Sequence, residues 1–153
     1  MELYLIRHGE AEGPEIPDME RALTAAGREA IRKMAAHVMT HGPTPTHLFV
    51  SPLKRAQESA AIFADSWQVT PETVDWLQPS TPPSVVLHKL ADIETTVALV
   101  GHMPNLGLVL SGLVWGMPPR EISIPKGGTA FLEAASWEAG KAKLHWLLSP
   151  ETL

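Results

Sequence analysis

The hydrophobic positions of the chain fall into short apolar runs that alternate with longer amphipathic stretches. A short run of aliphatic or β-branched residues between turn-forming residues is typical of a buried strand. Such runs predict strands over residues 3–6, 47–50, 96–100, 129–134 and 143–148. Ala139-Gly140 supplies a turn between the last two strands, which no helix separates. We therefore expect an antiparallel strand in this late pair.

The amphipathic stretches carry apolar residues at helical spacing. They predict helices over residues 24–41, 52–67, 82–90 and 105–115. Thr24 can cap the first helix and Gly42 ends it, while Pro52 takes a tolerated position in the first turn of the second. The apolar stripes of these two helices comprise Ile31, Met34, Ala35, Val38, Ala56, Ala60, Phe63 and Trp67. Each stripe predicts one helix face that packs against the rest of the fold.

The order of these elements indicates a fold class. Strands that alternate with helices are typical of α/β proteins. We predict a three-layer α/β/α sandwich around a mostly parallel central sheet. The chain has 153 residues, which lies in the usual range of one domain. We therefore expect residues 1–153 to form a single domain.

The composition excludes several kinds of chemistry. The chain has no cysteine, which excludes disulfides, zinc–thiolate sites, iron–sulfur clusters and thiol nucleophiles. The formal net charge of −5 argues against a nucleic-acid partner, which favours a basic surface. Neither a secretory signal nor a run of about 20 apolar residues is visible. We expect a monomeric, cytoplasmic protein that does not bind a membrane.

Acidic residues are concentrated at the start of the chain. The carboxylates that precede residue 21 are opposed by Arg7 alone, so this segment accounts for the net charge of the whole chain. They are Glu2, Glu10, Glu12, Glu15, Asp18 and Glu20. Residues 10–20 are either a contact surface for a partner or a solvated acidic loop.

Basic residues follow three of the predicted strands directly. Arg7 and His8 follow the first strand, and Arg55 comes shortly after the second. His102 follows the third, just before a predicted helix whose first turn offers N–H donors. The carboxyl ends of neighbouring parallel strands form the ligand-binding edge of an open sheet. If these strands are neighbours, two guanidiniums and two imidazoles meet in one cleft, which suits phosphate.

These residues also resemble the signatures of a known family. Arg7-His8-Gly9, Ser51-Pro52 with Arg55, and Gly101-His102 resemble the three motifs of the histidine phosphatase superfamily, in the branch of cofactor-dependent phosphoglycerate mutase. The short length, Arg21-Ala22-Leu23-Thr24 with Gly27, and the last strand before Ser149-Pro150 are similar to SixA-type phosphohistidine phosphatases.

The resemblance implies a role for each motif residue. It makes His8 the nucleophile, which is transiently phosphorylated on a ring nitrogen, and it requires no metal and no cofactor. Arg7, Arg55 and His102 complete the catalytic set, because they hold the phosphoryl oxygens. Gly9 lets the backbone approach the phosphate closely. The phosphate- and substrate-binding set that we expect is Arg7, Gly9, Arg21, Ser51, Arg55, His102 and Met103.

The sequence departs from the family pattern at one position. Many relatives carry a glutamate that protonates an alcohol leaving group, and residues 76–80, where it would fall, contain no acid. An imidazole leaves as a neutral molecule when it is already protonated, so the missing acid favours a P–N substrate over a P–O one. The acids available by position are Glu72, Asp75, Asp92 and Glu94.

We therefore predict a phosphatase that acts on phosphohistidine of a partner protein. The small size leaves only residues 10–20 and 78–84 as material for a lid, and an open site suits a protein substrate. Three alternatives remain: a small-molecule phosphomonoesterase, a mutase, which the missing acid and insertions disfavour, and a catalytically weak phosphoprotein-binding module.

The other histidines offer a weaker hypothesis. His37 and His41 are four residues apart on a predicted helix and could bind a metal. No third ligand is obvious, so a structural or surface role is favoured. His47, His88 and His145 are isolated, and we expect them to be structural.

Overall fold

One six-stranded sheet runs through the protein, with the first strand of the chain near its middle. A computed structural model describes residues 1–153. The strands are β1 (Glu2–Arg7), β2 (His47–Val50), β3 (Pro71–Thr73), β4 (Val97–Gly101), β5 (Thr129–Glu133) and β6 (Lys143–Leu148). Their spatial order is β3-β2-β4-β1-β5-β6. The pairs β3–β2, β2–β4 and β4–β1 are parallel, while β5 is antiparallel to both of its neighbours.

The strand register brings three strand ends to one edge of the sheet. Arg7 at the end of β1 pairs with Gly101 at the end of β4. Val50 at the end of β2 pairs with Val100 of the same β4. The segments that follow these three strands therefore leave the sheet side by side. This confirms the mostly parallel sheet and the antiparallel late pair that the sequence predicts.

Helices cover both faces of the sheet. Successive residues of a strand point to opposite faces, so the apolar side chains of the central strands need cover on both sides. Tyr4 and Ile6 are buried against α1 (Ala25–His41) and α2 (Lys54–Trp67). Leu3 and Leu5 are buried on the other face, against α3 (Pro83–Leu90) and α4 (Asn105–Trp115). The result is the predicted α/β/α arrangement of layers. None of these helices combines the length and apolar character that a membrane crossing requires.

The predicted helix ends are close to the observed ones, with one correction. Thr24 caps α1 as expected, since its Oγ accepts the N–H of Gly27 at 3.0 Å. Pro52 was expected in the first turn of α2, and this is wrong, because Leu53 is the extended residue that precedes the first turn. Pro52 therefore lies in the loop after β2. That loop is held by other contacts, described below.

The sequence pattern does not predict β3. This strand has only three residues, all exposed, and it begins with Pro71. Proline cannot donate to a ladder and is found at strand starts and sheet edges. Since β3 pairs with β2 alone, at the edge of the sheet, neither apolar patterning nor residue preference marks it.

Candidate active site

The site lies where β1, β4 and β2 end side by side. Their last hydrogen bonds continue into the loops: the N–H of His8 donates to Gly101 O, and that of Ser51 donates to Val100 O, both at 3.1 Å. The rings of His8 and His102 consequently come to within 5.0 Å of each other. The convergence expected from the strand order is therefore present.

The His8 ring is held in one orientation by its two nitrogens. Nδ1 lies 2.7 Å from the carbonyl oxygen of Gly9, and because a carbonyl only accepts, Nδ1 carries the hydrogen. Nε2 is then unprotonated, and its electron pair accepts the N–H of Arg55 Nε at 3.4 Å. The ring therefore presents an unprotonated nitrogen to the pocket, as a nucleophile requires.

Burial keeps this imidazole neutral. Desolvation, together with the smaller effects of the positive charges of Arg55, Arg7 and Lys126, lowers the pKa of His8 to about 4, although the Gly9 hydrogen bond acts to raise it. An ordinary imidazole has a pKa of about 6.5. The free pair on Nε2 is thus available at neutral pH in a pocket that is otherwise cationic.

The pH dependence of turnover should reflect this shift. Protonation of Nε2 removes the electron pair, so kcat/KM is expected to fall as the pH drops through about 4. Initial rates at a series of acidic pH values measure this fall in kcat/KM, with enzyme-free blanks to subtract spontaneous hydrolysis of the substrate. Lys126→Met should move it to higher pH, because one of the charges that lower the His8 pKa is removed. A fall in kcat/KM centred near the ordinary imidazole pKa would contradict this account.

His102 is buried more deeply and is fixed by a serine. Only 2% of its surface is exposed, and its Nε2 lies 2.7 Å from Ser51 Oγ. Ser51 Oγ also accepts the N–H of Leu53 at 3.3 Å, so it ties the imidazole to the loop after β2. Desolvation, followed by the charges of His8 and Arg55, lowers the pKa of His102 to about 3. Ser51 thus orients His102, and the Nδ1 of His102 has no protein partner.

Two arginines supply the positive charge of the pocket. Arg7 Nη1 donates to Ile124 O at 2.9 Å, while its buried Nε has no protein partner. Burial lowers the pKa of the Arg7 guanidinium, but arginine stays protonated in proteins. Arg55 is only 7% exposed, and its Nη1 donates to Asp18 O at 2.8 Å. The pocket therefore holds two cations together with unpartnered donor atoms, as an anion site requires.

Gly9 is required for a reason other than the predicted one. Its N–H donates to Ser59 Oγ at 3.1 Å and is not free for phosphate. A Cβ at Gly9 would lie 2.9 Å from Gly27 O and 3.0 Å from a side-chain carbon of Ile31. The absent side chain therefore allows close packing against α1. Ser59 in turn donates to Arg55 O at 2.8 Å and so links the His8 loop to α2.

Two members of the predicted binding set lie apart from the central group. Arg21 forms an ion pair with Asp18 at 3.4 Å, and its Nε donates to Glu12 O within the same loop. Met103 is half-buried and packs against the apolar cluster around α3 and α4. The structure thus gathers His8, Arg7, Arg55, His102 and Ser51, links Arg21 to Arg55 only through Asp18, and gives Met103 no hydrogen bond to any of these residues.

Sequence reasoning missed two charged residues beside the pocket. Asp18 forms an ion pair with Arg55 at 3.3 Å, and Lys126 is close enough to lower the His8 pKa. The only signal for Asp18 was its place three residues before Arg21, in a segment with several other acids. The four acids considered as proton donors are all exposed and make no hydrogen bond or ion pair with the site. They are Glu72, Asp75, Asp92 and Glu94.

The alternative metal site at His37 and His41 has no further ligands. Their rings stack at 4.1 Å, and His41 Nδ1 hydrogen-bonds to His37 O and Thr40 Oγ1. No group of three or more His, Cys, Asp or Glu side chains is placed to hold a metal ion anywhere in residues 1–153. A surface role for this pair agrees with these contacts.

Two neutral histidines and two arginines, gathered beside the ends of parallel strands, define a phosphate-handling protein of α/β type. Residues 3–78 match the model of the histidine phosphatase superfamily (branch 1), and the chain belongs to this superfamily. It is SixA-like. Phosphohistidine phosphatase SixA of Escherichia coli is 25% identical over an alignment of 157 positions, which covers 98% of this chain and 94% of that protein.

Solved structures show the same fold. The protein histidine phosphatase SixA complexed with tungstate superposes with a TM-score of 0.86 at 23% identity, covering 99% of both chains. The α-ribazole phosphatase of Shigella flexneri superposes with a TM-score of 0.75 at 18% identity, covering 98% and 97%. The protein is accordingly a phosphatase of the kind that uses a histidine nucleophile and no metal ion.

Proposed function

We propose that the protein removes phosphate from phosphorylated histidine on a partner protein, through a covalent intermediate on His8. The observation that carries this proposal is the His8 ring itself. Its Nδ1 donates to Gly9 O, and its unprotonated Nε2 accepts a hydrogen bond from the Arg55 guanidinium. The similarity to phosphohistidine phosphatase SixA of Escherichia coli supports the choice of substrate.

In the first step, the electron pair of His8 Nε2 forms a bond to phosphorus. The bond between phosphorus and the substrate imidazole breaks, and its electron pair stays on the departing nitrogen. Arg7 and Arg55 neutralise the charge on the phosphoryl oxygens as it moves. Arg7 Nε and His102 Nδ1, both buried, have no hydrogen-bond partner in the protein. In the second step, water attacks phosphorus, phosphate is released, and Nε2 regains its electron pair.

The surroundings of the pocket favour a P–N bond over a P–O bond. An alkoxide leaves only with a proton, and none of the four candidate acids contacts the site. Asp18, the acid that does contact it, is in ion pairs with Arg21 and Arg55 as a carboxylate. A protonated imidazole needs no such donor, because it departs as a neutral molecule.

The exposure of Asp18 favours a protein as the carrier of that imidazole. The Asp18 side chain is 63% exposed and contacts the buried Arg55, so the loop of residues 10–20 links the site to the protein surface. A histidine on the surface of a folded protein can reach such a pocket. The acidic loop would then contact the partner directly.

A panel of substrates tests the proposal. Phosphate release is measured from a histidine-phosphorylated protein, an aryl phosphate and an alkyl phosphate. We expect the phosphohistidine protein to be preferred, together with an acid-labile, alkali-stable phosphoenzyme. Preference for the alkyl phosphate by orders of magnitude would instead identify a small-molecule phosphomonoesterase. Retention of the phosphoprotein without phosphate release would identify a binding module.

A further inference from the structure

Asp18 brings a carboxylate to the mouth of an otherwise cationic pocket. Its Oδ1 lies 3.3 Å from Arg55 Nη1 and 3.4 Å from Arg21 Nη1. The Arg55 side chain is 8% exposed and that of Asp18 is 63% exposed, so the carboxylate lies on the solvent side of the guanidinium. The contact between Arg55 and Asp18 is the ion pair in which one of the four central residues (His8, Arg7, Arg55 and His102) takes part.

The loop that carries Asp18 is anchored at several points. Ala11 and Leu23 form a bridge, and Glu12 N–H donates to Ala22 O at 2.8 Å. Leu23 N–H donates to Glu58 Oε1 of α2, also at 2.8 Å. The main-chain oxygen of Asp18 accepts a hydrogen bond from Arg55 as well. The carboxylate therefore has a defined place relative to the nucleophile.

The Arg55 guanidinium spans the distance between His8 and Asp18. Its Nε faces His8 Nε2, and its Nη1 faces the Asp18 carboxylate. In phosphoryl transfer the attacking and leaving atoms are in line across phosphorus. The leaving group therefore lies on the far side of phosphorus from His8, and Asp18 lies at the other end of the Arg55 guanidinium from His8, so we take the leaving group to approach Asp18.

We infer that Asp18 selects the leaving group, favouring an imidazole that carries N–H over an alcohol; this inference rests on the proposed function. In phosphohistidine one ring nitrogen holds phosphorus and the other can hold a proton. The Asp18 carboxylate accepts the hydrogen bond of that N–H, which stabilises the protonated ring. When the P–N bond breaks, the departing nitrogen keeps the electron pair and the proton stays on the other nitrogen, so neutral imidazole leaves.

The same carboxylate works against esters. The oxygen of a departing alcohol or phenol gains negative charge in the transition state, and a nearby carboxylate repels it. An interaction that differs between two transition states changes their relative kcat/KM. The Asp18 carboxylate thus attracts the leaving imidazole of phosphohistidine and repels the leaving oxygen of a phosphate ester.

The test uses Asp18→Asn, which keeps the size of the side chain and the main-chain contact to Arg55. We expect kcat/KM for a phosphohistidine protein to fall about ten- to a hundred-fold, as for a lost hydrogen bond to a charged group. For phenyl phosphate, kcat/KM should stay the same or rise. Inorganic phosphate should inhibit the variant more strongly, since one negative charge has left the pocket.

Asp65→Asn is the matched control. It makes the same Asp-to-Asn change on α2, outside the acidic loop, and the exposed Asp65 side chain makes no contact with the site. Both substrates should react with this variant as with the wild type. Thermal unfolding of both variants, and of Asp18→Ser as a second substitution, shows whether each is folded.

The outcomes separate the two proposals. An equal loss on both substrates would make Asp18 a positioning residue for Arg55 and overturn the inference. Unchanged rates on both would also overturn it. If the wild type cleaves phenyl phosphate but not the phosphohistidine protein, the proposed function fails first and the inference fails with it. If the wild type cleaves phosphohistidine and the substrate ratio of Asp18→Asn is unaltered, only the inference fails.

Discussion

Replacement of His8 by alanine is expected to abolish the phosphoenzyme and to lower kcat/KM by at least about 10⁴-fold. The loss is large because the proposed reaction has two steps that both pass through Nε2. No other neutral nitrogen in the pocket has the same surroundings: His102 Nε2 is occupied by Ser51, and its ring is less exposed. The measurements are phosphate release and the acid-labile phosphate that remains on the protein after rapid quenching in alkali.

His88→Ala is the control for this experiment. His88 is exposed on α3 and forms no side-chain hydrogen bond, so its removal should leave both measurements unchanged. Mass spectrometry of the trapped phosphoenzyme at neutral pH identifies the phosphorylated residue. Phosphate on His102, whose ring is 5.0 Å away, would exchange the roles of the two histidines. Full turnover by His8→Ala would show that the mechanism is wrong.

Replacement of Arg55 by alanine should cost about 10²- to 10³-fold in kcat/KM, or roughly 3–4 kcal/mol, as for other preorganised donors to a developing charge. Arg55 is buried and combines contacts to His8 Nε2 and to Asp18 in one planar group. Lysine carries a single ammonium group and cannot place several N–H donors in one plane as a guanidinium does, so Arg55→Lys is expected to recover little of the loss. The kinetics of both variants on the preferred substrate measure the effect.

A second arginine provides the comparison. Arg32→Ala removes the same charge from α1, where the side chain is 58% exposed and pairs only with Glu29. Such surface pairs contribute little, about 0–1 kcal/mol, so both activity and stability should be close to those of the wild type. Recovery of the full rate by Arg55→Lys would mean that charge alone matters. An unchanged rate in Arg55→Ala would remove this residue from the proposed mechanism.

The sequence predicts the centre of this site well because its geometry follows from the sheet. Once β1, β2 and β4 are parallel neighbours, the residues after them must meet at one edge, and this places His8, Ser51 and His102 together. Periodicity and turn residues are local signals. They are sufficient to identify these three strands, with errors of one or two residues at their ends.

Other parts of the site depend on contacts that local signals do not contain. Asp18 and Arg55 are separated by 37 positions, and nothing in their neighbourhoods indicates that the loop turns back onto α2. The missing side chain of Gly9 predicts a close approach of the backbone to phosphate, whereas the close neighbour in the structure is Gly27 O on another element. The role of Ser59 likewise exists only after α2 has packed beside the His8 loop.

The central position of β1 also affects how the protein folds. The strand that leads to His8 comes long before its two partners in the sequence: these are β4 and β5, and Leu3 pairs with Val97 and Leu132. Pairings between such distant positions require large loops to close, and they make folding slow. A nascent chain that has not reached β5 has β1 unpaired on one side, with an open edge. Catalytic activity is therefore acquired late in folding, when nearly the whole chain is in place.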